Sequence, residues 1–253
     1  MNDFVRLIAR SLRTSLRQPA AIIPGFAISV FFLFVYNAGL SSVAHLPGFQ
    51  GSYLDFILPV AIVSAAIGGA TLAGEALIRD ISSGYFTKLL LTPAKRLALI
   101  WGPIVAGGIM LVAQVAVIVL LALVMGLGSA TGPVGLLVVL AFAFLWGMAF
   151  SGFAVFVALR TKNGAATQAA TLIFFPLIFL SATFVPREYI TARWLRVAAD
   201  INPTTYVFNA MRSVLIDGWQ ARPLLVGLVV VLAFASATGA LALWQARKAT
   251  QLK

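Results

Sequence analysis

Residues able to carry chemistry are scarce in this chain. It has no cysteine and a single histidine, His45. Thiol nucleophiles, disulfides and Cys/His zinc sites are therefore excluded, and a serine–histidine pair would have to use His45. His45 falls in a short polar gap after an apolar stretch, the position of a solvated loop residue and not of a base. The acids number seven: Asp3, Asp55, Glu75, Asp80, Glu188, Asp200 and Asp217. None forms a carboxylate pair in the middle of an apolar stretch, where a proton-coupled carrier would use one. Glu75 comes nearest; it closes an apolar stretch four residues before Arg79, the spacing of an i,i+4 ion pair on a helix. No Gly-x-x-x-x-Gly-Lys-Ser/Thr loop occurs, so any nucleotide hydrolysis belongs to another polypeptide. The sequence offers no catalytic and no metal-binding residues.

The elements that position these groups follow from composition. The chain has 253 residues, 61% of them hydrophobic and 10% charged. Soluble domains carry roughly 45–50% apolar and about 25% charged residues. The excess falls in long blocks at 20–44, 53–77, 99–126, 133–158, 166–185 and 222–244. Each is long enough to cross a hydrocarbon layer of about 30 Å as a helix, the fold that satisfies its own backbone there. The expected fold is thus an all-α integral membrane protein with six transmembrane helices in a single domain, 1–253. A stretch at 20–44 is too long for a signal-peptide core and reads as an uncleaved first span.

The net charge of +11 is not a nucleic-acid signature, because the basic residues sit in clusters between apolar blocks. Arg6, Arg10, Arg13 and Arg17 share one face of an amphipathic helix within 1–19, with Phe4, Ile8, Leu12 and Leu16 opposite, which suits the headgroup layer. Arg79, Lys88, Lys95 and Arg96 lie in the loop 78–98. Arg160 and Lys162 follow the fourth span, and Arg247, Lys248 and Lys253 end the chain. Six crossings place all of these on one side, which the positive-inside rule makes cytoplasmic together with both termini. Residues 186–221, with Arg187, Arg193, Arg196 and Arg212, then fall outside, as does Arg222. The stripe Ile190, Trp194, Val197 and Ile201 predicts a helix over 188–201. Asn202-Pro203 is a cap followed by a first-turn proline, and a second helix follows over about 204–216. Two short helices re-entering the outer leaflet would let arginines snorkel to phosphate.

The loop after the second span is the strongest signal. It runs from Glu75 through Arg79-Asp80, Gly84, Tyr85-Phe86, Lys88-Leu89-Leu90-Leu91 and Thr92-Pro93 to Lys95-Arg96. Tyr85, Phe86, Leu89 and Leu90 would form an apolar surface facing the cytoplasm, a docking patch for a partner protein.

With Phe175-Pro176, Ser181, Phe184, Pro186, Trp194-Leu195, Asn202-Pro203, Tyr206 and Ala210-Met211-Arg212, this loop resembles the membrane subunits of type-2 ABC exporters. Those export daunorubicin-like drugs, lipids or polysaccharides. Family members often carry Arg-Glu where this chain has Arg79-Asp80. The resemblance implies a coupling helix at Arg79, Asp80, Gly84, Tyr85, Phe86, Leu89, Leu90 and Pro93 inserted into an ABC ATPase. It implies a connecting helix carrying Arg6, Arg10, Arg13 and Arg17, and re-entrant helices at 186–221 with an outer gate at Phe184, Trp194, Pro203 and Tyr206. A second permease copy or a paralogue would complete a dimer around a central path. Candidate lining is Phe34, Asn37, Thr167, Gln168, Phe175 and Phe179, with Phe174 beside them and Glu75 as a polar group at the inner leaflet. ATP and magnesium would sit on the partner subunit, with none in this chain, and a hydrophobic or amphipathic substrate would move outward across the cell membrane. The competing reading is an ion-coupled carrier or channel without an ATPase, marked by inverted repeats and mid-membrane charges. An embedded enzyme or a membrane anchor is a further class.

Overall fold

The computed structural model describes residues 2–45, 49, 51–85, 96–181, 183–184 and 186–251. Phe86, Leu89, Leu90 and Pro93 of the expected docking loop lie outside the described residues. Every described regular element is helical.

Helix α1, Asn2–Leu16, precedes α2, Pro19–Phe31, which continues through a π-helical turn at Phe32–Tyr36 into Asn37–Leu40. Helix α3, Tyr53–Ser82, is the central element, and its core positions from Leu54 to Ala66 are buried almost all round. A capping box starts it. Ser52 Oγ accepts from the Leu54 amide at 3.2 Å, and Asp55 Oδ2 accepts from the Ser52 amide at 3.3 Å. Asp55 Oδ1 also accepts from the Gly128 amide at 3.0 Å, which ties this end of α3 to the turn between α4, Arg96–Val124, and α5, Gly132–Thr161. Asp55 is thus a structural cap.

Helix α5 ends at Lys162 in the left-handed conformation, φ 52°, and Asn163 caps the next helix by accepting from the Ala166 amide at 3.1 Å. The stretch expected to span 166–185 is a shorter helix, α6, Gly164–Thr171, extended by a 3-10 turn at Leu172–Phe174 and a last piece at Phe175–Phe179. Its far end stops early for a local reason. Pro176 offers no amide, and the hydroxyls of Ser181 and Thr183 both donate to the Ile178 carbonyl, diverting the chain out of the helix. Among the described residues, five helices are therefore long and apolar enough to cross a membrane: Ile22–His45, Tyr53–Ser82, Leu97–Val124, Gly132–Thr161 and Ala221–Lys248.

Two short helices follow, α7, Arg193–Ile201, and α8, Pro203–Arg212, the latter running into a π-helical turn at Ser213–Asp217. Asn202 separates them as expected. Its Oδ1 accepts from the Thr204 amide at 3.0 Å, and its Nδ2 donates to the Leu177 carbonyl at 2.5 Å, fixing the corner to the end of α6. Helix α8 is core, with Val207, Phe208, Ala210 and Met211 fully buried, whereas α7 keeps Trp194, Val197 and Ile201 exposed. Helix α9, Ala221–Gln251, closes the bundle against α5 and α8.

The main core fills the space between α3, α4, α5, α8 and α9. Trp146 of α5 is fully buried and packs on Phe150 and Phe234 with ring centroids 5.0 and 5.5 Å apart. Phe174 joins this cluster, 4.4 Å from the Phe150 ring, so it belongs to the core and not to a path lining. Small residues allow the tightest helix contacts. A Cβ on Gly25 of α2 would sit 2.9 Å from Gly68 Cα of α3, so the two backbones touch there.

Candidate functional site

Two regions gather the residues singled out by sequence, and α3 belongs to both. The first lies where α3 ends. Helix α1 packs across the start of α4, with Leu7 against Gly102, and buries Ser11 and Ser15. Small serines let it come close, while Phe4, Val5 and Leu16 stay exposed as an apolar stripe free for lipid. From this position Arg10 grips Asp80 with both prongs of its guanidinium: Nη1 donates to Oδ2 at 2.7 Å, and Nη2 donates to Oδ1 at 2.5 Å. The same guanidinium lies 4.0 Å from the centroid of the Tyr85 ring. The hydrogen bond to Asp80, helped by its charge, raises the Arg10 pKa above its ordinary value. Arg6, Arg10, Arg13 and Arg17 line one cleft of about 410 Å³ along α1. Arg79 turns the other way and pairs with Glu75 at 3.6 Å. Gly84 adopts a positive φ of 70° as the chain leaves α3, the conformation that a glycine takes most readily.

The second region is a cavity of about 470 Å³ between α2, α3 and α6. It brings together Glu75, Gln168 and Phe175, three of the expected polar or lining residues. Ser64, Ile67, Gly68 and Thr71 come from α3, and Pro24, Gly25 and Ile28 from α2. Thr71 and Thr171 share a hydrogen bond of 3.2 Å across it. Glu75 sits at the end of this wall nearer α1. Thr167 does not line it; the residue is fully buried, donates to the Asn163 carbonyl at 2.9 Å and faces Gly74.

Further along α2 the cavity gives way to an aromatic lattice. Phe32 stacks on Tyr36 at 5.2 Å and meets Phe179 at 6.5 Å; Tyr36 meets Phe184 at 4.7 Å, and Phe179 meets Phe184 at 5.7 Å. Of the expected lining, Phe175 and Phe179 belong to this series, 5.1 Å apart. Phe34 is exposed, Asn37 half-buried, and neither lines the cavity. Sequence reading missed Tyr36. A π-helical turn at Phe32–Tyr36 sets which rings of the run Phe31–Phe34 face inward, and no helical periodicity written for 3.6 residues per turn reports it. Among the other expected gate residues, the Tyr206 hydroxyl donates to the Asp200 carbonyl at 2.6 Å, Pro203 opens α8, and Trp194 is exposed on α7.

Among the described residues no group of three or more His, Cys, Asp or Glu side chains could hold a metal ion. What the arrangement offers is a cavity between helices and a clamp at the end of one of its walls.

The model of the family described as "ABC-2 type transporter" matches residues 2–216, which span the clamp, the cavity, the aromatic lattice and both short helices. The chain belongs to the ABC-2 type transporter family. It is a multi-pass membrane protein and a membrane subunit of an ABC transporter. Its ABC-2 relatives include the "Probable doxorubicin resistance ABC transporter permease protein DrrC" of Mycobacterium tuberculosis, 25% identical over 214 residues that cover 85% of this chain and 76% of the relative. The "Putative transport permease ycf38" of Cyanophora paradoxa is 24% identical over 199 residues, covering 78% of this chain and 68% of that protein. The resemblance read from the loop after α3 and from Phe175-Pro176 onward is thereby borne out at the level of the ABC-2 family.

Proposed function

We propose that this ABC-2 subunit pairs with a second copy or a paralogue and exports a hydrophobic or amphipathic molecule through a path walled by α2, α3 and α6. A separate ABC ATPase drives it from the side of α1 and residues 78–98. In this reading Gly164–Phe179 and the turn after it complete a sixth crossing. Both termini are cytoplasmic, and α7 and α8 lie at the outer leaflet. The basic residues Arg6, Arg10, Arg13, Arg17, Arg79, Arg160, Lys162, Arg247 and Lys248 then share the cytoplasmic side.

One observation carries the reading: the clamp and the cavity wall are parts of a single helix. Asp80 holds α1, and one to four turns earlier the same α3 presents Glu75, Thr71, Gly68 and Ser64 to the cavity. A push on the loop after α3 therefore moves the wall as a rigid body. The cavity also suits the cargo class. It is mostly apolar, with a few polar groups (Glu75, Thr71, Thr171, Gln168) that could orient an amphipathic molecule. The drug-resistance role printed for the Mycobacterium tuberculosis relative is in keeping with such cargo.

The test is reconstitution with a candidate ABC ATPase partner, in liposomes loaded with a fluorescent amphiphile. ATP-dependent movement that falls several-fold in Asp80→Ala but is retained in Asp3→Ala supports the reading. Transport by the purified chain without any ATPase sinks it and favours the ion-coupled carrier.

A further inference from the structure

At the end of the bundle opposite α1, a cleft of about 640 Å³ opens between the start of α3, α8 and the first turn of α9. It takes no part in the path. Its polar lining is dominated by Arg187, Arg212 and Arg222, with Asp217 as the carboxylate among its walls. These arginines are the ones that fit poorly with an outer loop on the positive-inside rule, and the structure draws three of them to one place. Arg212 is buried and locked: Nε donates to the Phe56 carbonyl at 3.0 Å, Nη2 donates to the Thr183 carbonyl at 3.1 Å, and the guanidinium lies 3.4 Å from the centroid of the Phe56 ring. Arg187 is fixed by Asp200 through two hydrogen bonds of 2.7 and 2.5 Å. Arg222 is exposed in the first turn of α9, where the positive end of a 31-residue helix adds to its charge.

Apart from Thr205, Tyr206 and Asn209, the rest of the cleft is apolar, and it leads somewhere. Pro223 and Val226 line it, and the same helix continues along the bundle with Leu225, Val229 and Leu232 exposed. A row of exposed aliphatic side chains on a membrane-spanning helix is a surface for acyl chains. A cationic cleft at its upper end is complementary to a phosphate.

We infer that this cleft holds an anionic phospholipid, its phosphate between Arg222, Arg187 and Arg212 and its acyl chains along the exposed face of α9. The continuity of the cleft with that face selects a lipid over free phosphate, since inorganic phosphate would gain nothing from Val226 and Val229. The site lies away from the cavity between α2, α3 and α6, so the lipid is a bound companion of the subunit and not its cargo.

Native mass spectrometry of the full chain, purified in detergent, tests this. Short-chain phosphatidylglycerol, phosphatidylcholine with the same chains, and inorganic phosphate are titrated separately. Phosphatidylglycerol is expected to bind in preference to phosphatidylcholine, and Arg222→Gln is expected to weaken it about tenfold, the scale of one charge-assisted contact. Arg222→Lys, which keeps the charge, should retain most of the binding. Arg222 is exposed, so the glutamine variant keeps the fold; unchanged helical circular dichroism checks this, and Arg222→Ala repeats the test if it does not. Equal binding of the two lipids, an unaltered affinity in the glutamine and alanine variants, or phosphate binding as tightly as phosphatidylglycerol would each overturn the proposal.

Discussion

Arg10 and Asp80, 70 residues apart in sequence, meet in a two-pronged ion pair that joins the first helix to the end of the central one. Asp80 is mostly shielded and Arg10 about one-third exposed, so the pair is screened on one side only. Asp80→Ala is expected to lower coupled ATP hydrolysis several-fold, consistent with roughly 1 kcal/mol for a partly exposed bidentate contact. The charge-reversed double variant Arg10→Asp/Asp80→Arg should recover part of the loss. A double-mutant cycle on ATPase stimulation reads the coupling directly.

Phe86 and Leu90 are proposed to dock in the ATPase. Phe86→Glu and Leu90→Glu should abolish co-purification with that subunit while membrane insertion stays normal. Removing a central apolar anchor commonly costs 2 kcal/mol or more, and a buried charge costs further. Pull-down from solubilised membranes, with insertion checked by fractionation, separates the two effects.

Gly68 permits the backbone contact between α2 and α3. Gly68→Val would place a Cβ 3.0 Å from Gly25 Cα and force the helices apart. The expected loss is on the order of 1–3 kcal/mol, as for overpacking elsewhere. A fall in the thermal midpoint of the purified subunit measures it, with Gly69→Ala, which meets nothing within 4 Å, as the control.

The rings of Tyr36, Phe179 and Phe184 close one end of the proposed path. Tyr36→Ala and Phe184→Ala each remove aromatic contacts of about 0.5–1.5 kcal/mol and should raise passive leak of the fluorescent amphiphile without ATP. Phe34→Ala, at an exposed position, should leave the leak unchanged.

The Asp200–Arg187 clasp gives a pH prediction. The hydrogen bond from Arg187 holds the Asp200 carboxyl below its ordinary pKa. A depressed folded-state value means that the contribution is present above the unfolded value of about 3.9 and lost as pH falls through the lower folded value. An environment-sensitive probe on α7 should therefore report no change between about pH 5 and 8, and a transition only in acid. Asp200→Asn should abolish that transition.

The sequence made the long helices legible because each is an uninterrupted apolar block. It made the corner at Asn202-Pro203 legible because a cap and a first-turn proline are local signals. Long-range matters were hidden. Nothing in the spacing of Arg6, Arg10, Arg13 and Arg17 singles out Arg10, since its partner is brought in by packing of α1 on α4. Ser11 and Ser15 were unremarkable on paper, yet they form the buried edge of α1 because small side chains permit closeness. The early end of α6 depends on hydroxyls that bond backward to Ile178, and hydropathy summed over 166–185 averages that away. Thr167 was read as a polar group for the path, but its hydroxyl already has a main-chain partner. The inward turn of Tyr36 needs one added residue per turn in the helix, a geometric accident that composition does not encode.

At Gly25 and Gly68 two main chains lie against each other with no side chains interleaved. Elsewhere, meshed side chains must climb out of one another before helices can shift. Here there are no rotamers to reset and no teeth to disengage, so α2 can swivel on α3 about a fixed point, like a pair of scissors at its rivet. Both glycines border the cavity. Its width is then set in part by an angle, and a few degrees at this rivet would move the aromatic end, two to three turns away along α2, by about an ångström.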